Sequence, residues 1–226
     1  MWVKICANTT LEDAARAAEL GADAVGFVFA ASRRQVTVPQ VAAITAALPR
    51  TVERIGVFDS QDANEIAAAA SSAGLSGVQL HGAYNKALIE QLNRVLSRET
   101  TIIQTLHWPV GASTSDIADD LEDELHRIAE ARIVRRVLID SKVNGTSGGT
   151  GISFDWAAAR RLFAEAAQQL DVILAGGLKP ENVAEAIGQL RPWGVDVASG
   201  VEASVGRKDP ERMLRFIQTA KLATKG

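Results

Sequence analysis

A lone cysteine, an aspartate closing an apolar run, a pair of arginines and two glycine-containing loops are the residues here whose types and spacing suit acid–base chemistry on an anion. Cys6 ends the apolar run Trp2-Val3-Lys4-Ile5-Cys6. As a thiolate it is a base; as a buried thiol it is a small inert hydrophobe, and residue type alone leaves both readings open. Asp140 ends Leu138-Ile139-Asp140, where partial desolvation raises a carboxyl pKa and makes it a usable acid, although a loop cap is the plainer role. Ser32-Arg33-Arg34 offers a planar fork for a carboxylate, or simply a solvated pair. In Ala175-Gly176-Gly177-Leu178 and Ala198-Ser199-Gly200-Val201-Glu202, glycine lets backbone amides approach an anion, though glycine is also ordinary turn material.

Weaker candidates surround these. The glycine-rich segment that includes Gly148, Gly149, Thr150 and Gly151 reads as a lid behind Asp140. His81 is a possible secondary site residue, with a hydrogen-bonded structural histidine as the plainer role. His107 and His126 are expected at the surface, and Trp156 and Phe154 are expected to pack a helix onto the sheet. No pair of His, Cys or carboxylate residues has metal-ligand spacing, so no metal site is expected.

The elements that must position these residues follow one rhythm. Short β-branched apolar runs occur at Val3 to Cys6, Ala24 to Phe29, Val52 to Phe58, Gly77 to Leu80, Thr101 to Leu106, Val134 to Ile139, Val172 to Ala175 and Val195 to Ala198. Helical spacing fills the intervals, as in Leu11, Ala14, Ala15, Ala18 and in Ile66, Ala69, Ala70, Ala73. Strands alternating with helices predict an α/β chain with a parallel sheet, and the lack of clean alternation fits strands covered on both faces. Eight such units in 226 residues predict a single-domain (β/α)8 TIM barrel over 1–226. In that fold the loops after the strands carry the site, and the last two of them the phosphate. Cys6, Asp140 and both glycine loops stand at such ends.

Composition excludes other classes. A chain that is 47% hydrophobic can bury a large core. With net charge −3 and scattered basic residues, no nucleic-acid surface is expected; the cluster Arg132, Arg135 and Arg136 reads as a solvated helix end. No apolar run approaches the roughly 18 residues of a membrane span, and no leader-like pattern is seen. One cysteine cannot form an internal disulfide, so a reducing cytoplasm is expected.

The ordered set of local motifs resembles the phosphoribosylanthranilate isomerase family of tryptophan biosynthesis over nearly the whole chain. The matching pieces are Lys4-Ile5-Cys6 with Thr9 and Leu11 to Ala14, Gly21 to Phe29, Ser32 to Arg34, and Gly77 to Gly82. They continue with Asp140, Gly148 to Gly151, Phe154 to Trp156, Ala175 to Leu178, Ser199 to Glu202, Gly206, Lys208 and Asp209. The resemblance implies an Amadori rearrangement on a small phosphosugar, with no cofactor, by a monomer or homodimer. It makes Asp140 the general acid and Cys6 the base. It gives Arg34 the substrate carboxylate, and Gly176, Gly177, Ser199 and Gly200 the phosphate.

Two departures bear on efficiency. Ala7 stands where the family has glycine, followed by Asn8 instead of an aliphatic residue. If that position needs a positive φ, alanine strains the loop by about 1 kcal/mol. The loop Ala30-Ala31-Ser32 is one residue shorter than usual and lacks a proline, which leaves Arg33 in competition with Arg34. Two other readings stay open: a paralogue that binds the phosphate ligand with impaired catalysis, and a phosphosugar isomerase of histidine biosynthesis. The second is disfavoured by a cysteine where that family carries aspartate.

Overall fold

The computed structural model describes residues 1–109, 114–142 and 155–223. Its strands are β1 (Trp2–Ile5), β2 (Ala24–Val28), β3 (Glu53–Phe58), β4 (Gly77–Leu80), β5 (Thr101–Pro109), β6 (Arg136–Lys142), β7 (Asp171–Leu174) and β8 (Gly194–Val197). The helices are α1 (Leu11–Glu19), α2 (Val38–Thr45), α3 (Ala63–Ser72), α4 (Lys86–Val95), α5 (Thr114–Ala131), α6 (Trp156–Ala166), α7 (Val183–Leu190) and α8 (Pro210–Leu222). The eight strands pair in parallel in chain order, and β8 pairs with β1 to close the barrel. A 3-10 turn, Ser199–Val201, follows β8, and a small hairpin of β9 (Glu202–Ser204) and β10 (Arg207–Lys208) leads into α8.

Local chemistry explains the helix starts. Thr10, Asp62, Asn85, Asp155 and Asp209 each accept a first-turn backbone N–H, and Thr37 forms a reciprocal capping box with Gln40. The stripe expected on α1 is rotated. Leu11 is exposed while Asp13 is buried, because the Asp13 carboxylate accepts the Lys208 backbone N–H and so takes an inward position.

The barrel interior is graded from bottom to top. At the bottom Trp2, Ala24, Ile55, Ile103, Leu138 and Ile173 form an apolar plug, below which Arg136 lies against the Trp2 and Trp193 rings. One level up the inward residues become polar and buried: Lys4, Gln79, Thr105 and Asp196. The next inward positions, two residues on in each strand, are Cys6, His81, His107 and Ala198 at the mouth. A larger apolar layer, including Phe27, Ile66, Leu92, Phe163 and Phe216, lies between the strands and the helices. Among the described residues, no helix is long and apolar enough to cross a membrane.

Candidate active site

At the C-terminal ends of the strands one pocket is lined by Cys6, Arg34, His81, Asp140, Gly176, Gly177, Ser199 and Gly200, together with Gln79 and Asp196 on its floor. These residues come from six separate strand ends. A larger open depression beside Tyr84, Lys86 and Arg127 lies away from the strand ends and gathers no comparable set.

Cys6 is the first residue beyond β1, and its N–H donates to the Val197 carbonyl at 2.8 Å, so the barrel ladder holds its backbone. It is only 6% exposed. The sulfur sits over Gly26, where an added Cβ would stand 2.7 Å from Sγ and 2.9 Å from Lys4 Cε. Any side chain at position 26 would displace the thiol. Burial pushes the thiol pKa up; the Lys4 and Lys208 ammonium groups pull it down, Asp196 adds to the rise, and burial prevails. Lys4 is fully buried and donates to Asp196 Oδ1 at 3.0 Å and Gln79 Oε1 at 2.9 Å.

Ala7 has φ of 61°, so the condition under which an alanine here is strained holds: the position takes the left-handed backbone that favours glycine. Asn8 bridges the turn. Its buried side-chain amide donates to the Ile5 carbonyl at 2.7 Å and to the Gly26 carbonyl at 3.2 Å. An aliphatic side chain at this position would have no such donor, so Asn8 offsets part of the strain at Ala7.

Asp140 lies near the end of β6, opposite His107 in the β5 register. Burial, aided by the Asp196 carboxylate and opposed by Lys4, raises its pKa to about 7. That value suits a general acid at neutral pH. His107 corrects the sequence expectation. It is half-buried, not a surface residue, because β5 runs to Pro109 and carries His107 into the mouth. Its Nε2 donates to the His81 carbonyl at 2.8 Å, and the two rings meet edge to face. His126 is exposed as expected. His81, His107 and Asp140 bring ligand-type atoms within 4.8 Å of one another, the group among the described residues that could approach a metal ion. No pairwise spacing foretold it, since the three residues belong to three strand ends.

Arg34 faces the pocket and Arg33 is exposed. The Arg34 fork is partly engaged: Nε and one terminal nitrogen each donate at 2.8 Å to the Glu202 carboxylate. Glu202 also accepts from Lys208 Nζ at 3.4 Å and from the Gly206 N–H at 3.3 Å. This fixes the guanidinium plane and leaves the remaining N–H donors for the pocket. Glu202 and Lys208 have no assigned role in the motif; they hold the arginine.

The two glycine loops form one surface. Gly176 and Gly177 take φ of 84° and 65°, and a side chain at Gly200 would collide with the Leu178 carbonyl. Asn182 secures the first loop by accepting the Lys179 N–H and donating to the Gly177 carbonyl. The expected lid at Gly148, Gly149, Thr150 and Gly151, and Phe154, lie outside the described residues. Trp156 opens α6 and packs against the outer apolar layer.

Comparison with known proteins agrees with this geometry. The family model for N-(5'-phosphoribosyl)anthranilate (PRA) isomerase matches residues 3–219. The N-(5'-phosphoribosyl)anthranilate isomerase of Rubrobacter xylanophilus is 40% identical over 220 residues, covering 97% of this chain and 98% of that one. The crystal structure of phosphoribosyl anthranilate isomerase from Thermotoga maritima superposes with a TM-score of 0.81 at 35% identity and 98% coverage of both chains. A phosphoribosyl anthranilate isomerase in complex with reduced 1-(o-carboxyphenylamino)-1-deoxyribulose 5-phosphate gives 0.77 at 34% identity, again with 98% coverage of both. A barrel mouth carrying a thiol, a raised carboxyl, an oriented arginine and paired glycine loops, with full-length likeness on this scale, leads to one conclusion: the chain belongs to the N-(5'-phosphoribosyl)anthranilate isomerase family.

Proposed function

We propose that the chain catalyses the Amadori rearrangement of N-(5-phosphoribosyl)anthranilate to 1-(2-carboxyphenylamino)-1-deoxyribulose 5-phosphate. The observation that carries this reading is the meeting of Cys6, Asp140 and Arg34 with both glycine loops in one pocket. Asp140 gives its proton to the furanose ring oxygen, and the C1–O bond breaks to leave a Schiff base. Cys6, as thiolate, removes the proton from C2, and the electron pair moves to give an enolamine. Loss of the proton from the C2 hydroxyl and protonation at C1 yield the aminoketose. The thiol returns its proton to solvent and Asp140 takes one back, so no net proton is consumed.

Arg34 holds the anthranilate carboxylate with the donors that Glu202 leaves available. The amides around Gly176, Gly177, Ser199 and Gly200 receive the phosphate. His81 lines the same wall as Asp140. The steps are proton transfers and need no cofactor. The chain acts as one domain in the cytoplasm, as monomer or homodimer. Loss of phosphoribosylanthranilate fluorescence with purified protein tests the reading directly. Turnover that tracks protein concentration is expected, and folded protein without turnover overturns it.

A further inference from the structure

We propose that Lys4 is a positioning residue: its buried ammonium fixes the orientation of Cys6 and favours the thiolate, opposing the effect of burial, so that the sulfur can take a proton. This rests on the assignment of Cys6 as base made above. Strand alternation puts Lys4 and Cys6 on the same inward face of β1, with Lys4 one level deeper. The interior closes them together. Lys4 Cε and Cys6 Sγ lie 2.9 Å and 2.7 Å from the point where a Cβ on Gly26 would stand, so the absence of a side chain there lets the two groups share the space.

The ammonium is fully buried and cannot be a solvated charge. It is held by Asp196, its register partner on β8, and by Gln79 across the barrel on β4; Gln79 in turn donates to Thr105 Oγ1 at 3.1 Å. A buried ion pair is weak evidence for stability, since apolar residues of similar size often do as well or better in that place. A lysine anchored by two partners beneath a thiol therefore has a better account as a fixed positive charge aimed upward. The other charges facing Cys6 are Asp196 from β8, Lys208 from β10 and Arg34 from the loop after β2; Asp140 from β6 faces Asp196 and Lys4. Of the cations, Lys4 acts most strongly on the thiol.

Because Cys6 is the only cysteine, its titration can be read without ambiguity in the absence of substrate. The measurements are iodoacetamide alkylation rate and thiolate ultraviolet absorbance against pH. Lys4→Met is expected to move the titration to higher pH by about one unit, slowing alkylation at neutral pH about tenfold while circular dichroism stays unchanged. An unmoved titration in a folded Lys4→Met protein overturns the proposal, whatever happens to kcat. Should Lys4→Met fail to fold, Lys4→Gln decides. It removes the charge and keeps a polar group beside Asp196, so the same rise of the titration and slower alkylation at neutral pH are expected. An unmoved titration in the folded Lys4→Gln protein overturns the proposal. If the titration shifts as expected in a protein that does not turn over phosphoribosylanthranilate, the pairing stands and the assignment of the reaction falls.

Discussion

At the scale of single residues, the chemistry divides between groups that face the ligand and groups that hold them. Cys6→Ser replaces a thiolate by a hydroxyl, a far poorer base, so kcat is expected to fall by about 10² or more with KM little changed. A near-normal kcat would move the base elsewhere. Arg34→Ala removes both the proposed carboxylate clamp and the partner of the nearly buried Glu202. Its expected effects are a KM increase worth about 2 to 4 kcal/mol and a loss of about 1 to 3 kcal/mol of stability in urea. Exposed Arg33→Ala should leave both unchanged; a KM effect there instead would assign the carboxylate to the wrong arginine. The serine and arginine pattern is legible in sequence, but the fork shared with Glu202 is not. The two residues are brought together by a hairpin after β8 that has no sequence neighbour near β2.

At the scale of elements, the turn after β1 shows how a local departure is absorbed. Ala7 occupies the left-handed region at φ of 61°, which costs a non-glycine residue about 1 kcal/mol or more. Two Asn8 hydrogen bonds from one amide hold the chain in that turn. Ala7→Gly is expected to stabilise the protein by about 0.5 to 1 kcal/mol, net of the glycine's greater unfolded-state freedom, raising Tm by about 1 to 4 °C. A lower Tm in thermal unfolding would show that the turn carries no strain. Most elements were readable in the chain: all eight apolar runs became strands, with ends moved by up to three residues. β5 is the exception that matters. Its polar continuation His107-Trp108-Pro109 lacks the apolar run that marks a strand, yet pairing with β6 from Ile103 to Pro109 extends it and lifts His107 into the mouth.

At the scale of the whole molecule, barrel closure sets the electrostatics of the mouth. It buries Asp140 enough to raise its pKa to about 7, and it buries Cys6 so that its thiol titrates above the ordinary value. In the proposed mechanism Asp140 must be protonated and Cys6 deprotonated, and Asp140 titrates below Cys6. The active form is therefore a minority of the molecules. Below about pH 7 its population rises with pH as the thiol ionises; between the two pKa values it is level, and above the thiol pKa loss of the Asp140 proton is no longer compensated. The expected profile of kcat/KM rises to about pH 7, runs flat, and falls in the alkaline range where the thiol titrates. A maximum well below neutrality would contradict this ionic state.

The residue order alone determined the eightfold alternation of strand and helix, the strand ends on which Cys6 and Asp140 stand, and the family they match, because periodicity and local motifs are written in consecutive residues. It also put Lys4 and Cys6 on one strand face. What only the tertiary structure decided is distance across the barrel. Asp196, Gln79 and Gly26 frame the lysine and the thiol, Glu202 fixes Arg34, and His107 joins the mouth. A period of two assigns a side chain to a face, whereas the separation of residues on different strands is set by closure and register.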